Sequence, residues 1–166
     1  MQEAAASIAS ELDRFDLAIL EILQRDNTTP QRVIGEKVNL SAAAVHRRIR
    51  RMKADGVIAA DVACVEPARV GRPITIVVEV GIESERLDLL DATKQSFANA
   101  EEVQQCFYVT GEADFVLIIT VSSMGEYEAL TRRLFFQNPN VKRFRTLVVM
   151  DRIKTGLAVP LGKALK

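Results

Sequence analysis

The chain has 166 residues, 48% of them hydrophobic, with 22 basic and 22 acidic side chains and so no formal net charge. That content excludes a disordered chain, and the balance of charge excludes a generic polyanion binder. Two cysteines without metal-ligand spacing, a single histidine, no apolar run near the ~18 residues of a membrane span and no secretory leader point to a cytoplasmic protein with no metal, cofactor or membrane partner.

Residues 1–11 read as an N-terminal extension, frayed or adding one helical turn. Leu12 to Arg25 is helix-like, with Leu12, Phe15, Ile19, Ile22 and Leu23 on one side, and Asn27-Thr28-Thr29 breaks it. Pro30 suits a first helical position behind Thr29 as cap, and Val33, Ile34 and Val38 form a second apolar stripe. Asn39-Leu40 then turns into the most informative stretch. Ser41 is placed to accept hydrogen bonds from the first turn of a third helix, and Gly56 to take the left-handed position after its last turn. Val45, Ile49 and Met52 recur at the i, i+4, i+7 spacing of a buried face. Ala43, Arg47 and Arg50 point the opposite way, flanked by His46 and Arg51; Arg48 sits nearer the core edge, as a partner for an internal ion pair would.

Three helices with a short turn between the second and third make a helix-turn-helix, to which Val57-Ile58 and Val62 would add a short strand or wing. From Asp13 to Ala60 there are nine Lys/Arg against six Asp/Glu, and five of the nine fall within Arg47–Lys53; from Asp61 on the count is thirteen against fourteen. Such a local concentration is the footprint of a double-stranded DNA partner, and Ser41, Ala43, His46, Arg47, Arg50 and Arg51 are the residues expected to meet it. A merely solvated basic face is the bland alternative.

Residues 61–72 read as a linker with one or two short strands, and residues 73–166 as a second domain. Ile74 to Val80 is a β-branched strand. Glu83-Ser84-Glu85 opens a helix with Leu87, Leu90 and Phe97 on its buried face. Strands follow over Val103–Val109 and Phe115–Val121, then a helix from Met124 to Phe136 burying Tyr127, Leu130 and Leu134, and a last strand over Val141–Met150. Cys64 and Cys106 read as small buried hydrophobes. The order β-α-β-β-α-β is ferredoxin-like, so the predicted class is α+β: a helix-turn-helix domain at 12–60 followed by a ferredoxin-like domain. Two helices cover one face of a four-stranded sheet, yet Val77, Val116 and Ile118 make the other face apolar too. The cheapest cover is a second copy of the same sheet, which predicts a homo-oligomer and gives a DNA reader two recognition helices.

The order and wording of these parts resemble the Lrp/AsnC (leucine-responsive, feast/famine) transcriptional regulators over roughly residues 12–161. The resemblance is carried by Leu12 to Leu20, by Leu40-Ser41 to Ile58, by Val109-Thr110-Gly111-Glu112-Ala113-Asp114 and by Lys154 to Leu161. Departures are Ile34-Gly35, where the family usually has Leu-Ala and helix packing would loosen; Thr28-Thr29, where an arginine is frequent; and His46, which replaces an aliphatic residue and would tune base preference. The resemblance implies homodimers joined through the C-terminal sheets, often assembled into octamers. It also implies a small effector, an amino acid or related metabolite, bound near Thr110, Gly111, Glu112, Ala113 and Asp114. Backbone N–H groups around Gly111 would take a carboxylate and Asp114 an ammonium; the alternative is that Gly111 makes a turn and Asp114 caps it.

The expected function is therefore sequence-specific transcriptional regulation gated by a small effector, without enzymatic activity. One alternative is an enzyme similar to the siroheme decarboxylases, which put histidines to work on a related fold, and tetrapyrrole absorbance would reveal it. The other is a sensing or assembly module without DNA binding, which a DNA shift assay separates.

Overall fold

The computed structural model describes residues 12–161. The expected extension at 1–11 lies outside them. The chain divides into two compact units, one built from residues up to Ala63 together with those from Thr155 on, the other from Cys64–Lys154.

The first unit holds α1 (Arg14–Arg25), α2 (Gln31–Val38) and α3 (Ala42–Ala54). A capping box starts α1: the Asp13 carboxylate accepts the N–H groups of Phe15 (2.8 Å) and Asp16 (2.9 Å), while Asp16 accepts that of Asp13 (3.1 Å). Helix α2 starts differently from expectation. Asp26 accepts the N–H (2.9 Å) and hydroxyl (2.6 Å) of Thr28, and Thr29 donates its hydroxyl to the Asp26 carbonyl (2.9 Å). Thr29 is thus committed to that turn. Pro30, extended at φ −60° and ψ 140°, takes the cap position without a side-chain bond, and the helix opens at Gln31.

Between α2 and α3, Asn39 adopts a left-handed conformation (φ 57°) and Leu40 donates its N–H to Gly35 (2.9 Å). A Cβ on Gly35 would stand 2.4 Å from the Leu40 carbonyl oxygen. Gly35 therefore lets the turn close tightly rather than loosening the packing. Ile19, Leu20, Ile34, Val38, Val45, Ile49 and Met52 form the buried core of this unit. The expected short strand after α3 does not form among the described residues: Val57 and Ile58 pack on the core without strand pairing, and Ile58 donates back to Met52 (3.1 Å). The predicted second domain also ends early. Gln24 exchanges two hydrogen bonds with the backbone of Val159 (3.0 and 2.6 Å), and Leu161 packs on the helical core, so the tail belongs to the first unit.

The linker holds a single 3₁₀ turn, Pro67–Val70, and no strand among the described residues, because Pro67 and the left-handed Gly71 (φ 79°) suit a tight turn. Cys64 lies in that irregular stretch and is exposed, not buried as expected.

The second unit runs β1 (Ile74–Ile82), α4 (Leu87–Ala98), β2 (Val103–Tyr108), β3 (Phe115–Val121), α5 (Met124–Thr131, continued as a π-turn over Arg132–Phe136) and β4 (Val141–Val148). The antiparallel sheet has the order β2-β3-β1-β4, the ferredoxin-like arrangement. Pairing Val80 with Phe115, Val78 with Leu117 and Ile76 with Ile119 puts all six on one face, where they are buried with Phe97, Tyr127, Leu130 and Phe135. Phe97 makes edge contacts with Phe115 (5.3 Å) and Phe135 (6.0 Å). Helix α4 begins after Arg86, so Leu87 stays exposed where a buried position was expected.

The same registers put Val77, Ile118, Val116, Leu147 and Phe107 on the opposite face. Leu147 and Phe107 are 43% and 50% exposed there. This apolar band is bounded at one end by Glu79, paired with Arg145 at 2.6 Å.

Candidate nucleic-acid interface and effector site

Helix α3 sorts its cations by what lies behind them. Ser41 caps it by accepting the Ala44 N–H (3.2 Å), and Val45, Ile49 and Met52 anchor it in the core. The fully buried Asp16 carboxylate reaches across from α1 and takes Arg48 on one oxygen (2.8 Å) and Arg51 on the other (2.5 Å). Asp13 adds a second bond to Arg48 (2.8 Å). Burial acts to raise the Asp13 carboxyl, but the Asp16 N–H, Arg48 and the Phe15 N–H outweigh it and hold it below its ordinary value. The hydrogen bond to Asp16, with help from Asp13, raises the Arg48 guanidinium in turn.

Arg47 and Arg50 are exposed, and their side chains make no hydrogen bond or ion pair among the described residues. Ala43 lies one turn before Arg47 and is exposed with them. His46, exposed beside Arg47, meets the side chain of Gln31 from α2 (Nδ1···Nε2 3.1 Å). The expected DNA-facing set thus shares one surface, except that Arg51 is half committed to Asp16. Asp16 and Gln31 did not figure among the sequence candidates. The Asp13-x-x-Asp16 spacing carries the signal for Asp16, since two carboxylates three residues apart at a helix start invite both a cap and a cation.

The loop between β2 and β3 is the other expected site. Gly111 turns it at φ 136°. Asp114 donates its N–H to Val80 (2.9 Å) and its carboxylate accepts the N–H of Ile82 (2.8 Å), so Asp114 pins the loop to β1. A shallow cavity of about 200 Å³ lies alongside, lined by Glu112 and Ala113 of the loop together with Glu79, Gly81, Arg143, Phe144 and Arg145. Arg143 donates to the Glu112 carbonyl (2.9 Å). Thr110, Gly111 and Asp114 do not line the cavity. Arg143 and Arg145 do, and the sequence held the signal: positions two apart on a strand share a face. The cavity wall thus brings together Arg143 and Arg145 with the acidic residues Glu79 and Glu112, of which Glu79 is already paired with Arg145.

The domains that carry these two surfaces match known families. A sequence model described as a winged helix-turn-helix DNA-binding domain matches residues 12–59, and one described as the Lrp/AsnC ligand binding domain matches residues 75–159. The chain belongs to the Lrp/AsnC family. It is 48% identical over 160 residues to an uncharacterized HTH-type transcriptional regulator of Sinorhizobium fredii, covering 96% of this chain and 95% of that protein. An AsnC family regulator from Agrobacterium tumefaciens superposes with a TM-score of 0.87 at 29% identity, over 93% of this chain and all of that one (100%). A transcriptional regulator of Neisseria meningitidis, solved as a complex with L-Met, gives 0.87 at 25% identity over 93% and 99% of the two chains. This Lrp/AsnC chain is a transcriptional regulator with a DNA-binding and a ligand-binding domain. No helix among its described residues is long and apolar enough to cross a membrane.

Proposed function

We propose that this regulator reads DNA through Arg47 and Arg50, supported by Ser41, Ala43, His46 and the exposed half of Arg51, and that an amino acid modulates the binding. The observation that carries the DNA reading is the division of labour on α3. Asp16 holds Arg48 and Arg51, while Arg47 and Arg50 stand out unpaired on the face opposite the core. Two neighbouring exposed guanidinium groups without internal partners are available to phosphate oxygens and guanine edges. An electrophoretic shift series on the intact protein, with Arg47→Ala and Arg50→Ala beside the parent, tests it.

An amino-acid effector draws support from the paired charges of the cavity beside Glu112 and Ala113, and from the L-Met complex of the Neisseria relative. In this reading Arg143 and Arg145 take the carboxylate and Glu112 the ammonium, and Asp114, Gly111 and Thr110 shape the loop. Calorimetry of the common amino acids against the parent and Arg143→Ala tests it; no heat from any of them with the parent refutes it. We also infer that two copies pair through the apolar band around Ile118, Val77 and Leu147, as a step towards the octamers of the family. A monodisperse monomer by light scattering at micromolar concentration refutes that.

The regulator acts in the cytoplasm, where its DNA lies, and without catalysing a reaction. Tetrapyrrole chemistry of the decarboxylase type has one histidine to draw on, His46, and that side chain lies on the DNA-facing helix bonded to Gln31.

A further inference from the structure

Helix α2 reaches the exposed surface of α3 through Gln31, its first residue, whose amide nitrogen stands 3.1 Å from Nδ1 of His46. A side-chain amide nitrogen has two hydrogens and no lone pair to offer, so it donates. Nδ1 must then accept, and the ring proton resides on Nε2. Imidazole is ambiguous by itself, since either nitrogen donates or accepts according to the tautomer. Here the Gln31 amide nitrogen, placed 3.1 Å from Nδ1, favours the tautomer with the proton on Nε2. His46 is exposed and adjoins Arg47, with Arg50 one turn on, so its free edge belongs to the same surface as the unpaired cations.

We propose that Gln31 and His46 form one specificity-determining unit, in which Gln31 fixes the tautomer so that His46 offers Nε2–H to an acceptor on the major-groove edge of a guanine. This rests on the DNA-binding reading above and assigns one of its base contacts. The major groove supports the choice. Guanine shows two adjacent acceptors, N7 and O6, whereas cytosine shows the N4 donor, which would oppose Nε2–H. Adenine places a donor beside its single acceptor, and thymine a methyl group beside its own. Gln31 needs no contact with the base. It acts through the ring, as a positioning residue for the proton.

Two measurements on the full-length protein test the unit. The chain has one histidine, so nitrogen NMR of the labelled protein, recorded well above the titration range of free imidazole, reports this ring alone. The proton is expected on Nε2 in the parent and on Nδ1 in Gln31→Glu, because a carboxylate only accepts. The second measurement is selection of operator DNA from a randomised pool. The parent is expected to enrich guanine at one position of each half-site. His46→Ala should reduce that preference about five- to twentyfold while leaving the other positions intact, the lower part of the range for a bidentate base contact, because a single N–H makes one bond. Gln31→Glu should move the preference towards a base edge bearing a donor, adenine or cytosine, and should change nothing further in a His46→Ala background.

A proton on Nδ1 in the parent overturns the proposal. So does a His46→Ala protein that loses affinity equally for every base, which marks a phosphate contact instead. A parent that enriches no sequence at all overturns the DNA reading with it, whereas intact enrichment unaffected by either variant overturns the unit alone.

Discussion

Replacing Asp16 with alanine should damage the helix-turn-helix unit more than any surface change on it. The carboxylate is fully buried and holds three groups: Arg48 (2.8 Å), Arg51 (2.5 Å) and the Asp13 N–H (3.1 Å). Removing one partner of a buried ion pair costs about 3–5 kcal/mol where the other charge is left stranded. Neither arginine is stranded here. Arg48 keeps Asp13, and Arg51, 47% exposed, turns to water. What remains is the loss of charge-assisted bonds, about 1.5–3 kcal/mol each at most, and of half a capping box, about 1 kcal/mol, partly offset by hydration. We expect a total of about 3 kcal/mol, a large fraction of the roughly 3–9 kcal/mol that a unit of this size possesses. Its thermal midpoint should fall by roughly 10–20 °C, read by circular dichroism on the intact chain, with the sheet unit melting as before. Asp16→Asn, which keeps the volume and the Asp13 bond, should fall between. A loss under about 1 kcal/mol for Asp16→Ala would refute the idea that this carboxylate joins α1 to α3.

Arg47→Ala and Arg50→Ala should each weaken operator binding by about 1–3 kcal/mol in a shift assay while leaving the melting curve unchanged. Gly35→Ala would gain about 1 kcal/mol of helix propensity in open space, but its Cβ meets the Leu40 carbonyl oxygen, so urea unfolding should show a net destabilisation of about 1–3 kcal/mol. The Asp13 carboxyl lies below its ordinary value in the folded state, as does that of Asp26, held by the Thr28 hydroxyl and N–H. Their contribution is complete above the unfolded carboxyl range and is lost as pH falls through the folded values, so the stability of the helical unit to urea should decline as pH falls below about 4. Leu147→Asp, on the exposed apolar band, should shift light scattering towards the monomer without loss of secondary structure.

Much of this architecture was legible from periodicity alone. Val45, Ile49 and Met52 are buried as their spacing requires, and every expected strand of the sheet exists, because β-branched runs and turn residues mark each one. Local propensity failed where a neighbour distant in sequence decides. Thr29 reads as a cap until Asp26 claims its hydroxyl, and Gly35 reads as a loosening until the Leu40 carbonyl is seen against it. Leu87 fits a helical stripe, yet the helix starts just there and leaves it in solvent. Asp114 combines a loop position with a carboxylate, which suggests a ligand; its bond to the Ile82 N–H depends on β1 lying beside it. The spacing of Arg143 and Arg145 shows that they share a strand face, but nothing in the sequence sets that face beside the loop.

The bonds between Gln24 and Val159, with Leu161 seated on the helical core, bear on the order of biosynthesis. A ribosome delivers the N-terminal helices first, and domains made early usually fold early. Here the nascent three-helix unit waits with the amide of Gln24 unengaged and one edge of its core unsealed until all four strands have been made. The tail can therefore dock on the helical unit only after the effector domain has been made, although the helices it meets are synthesised first.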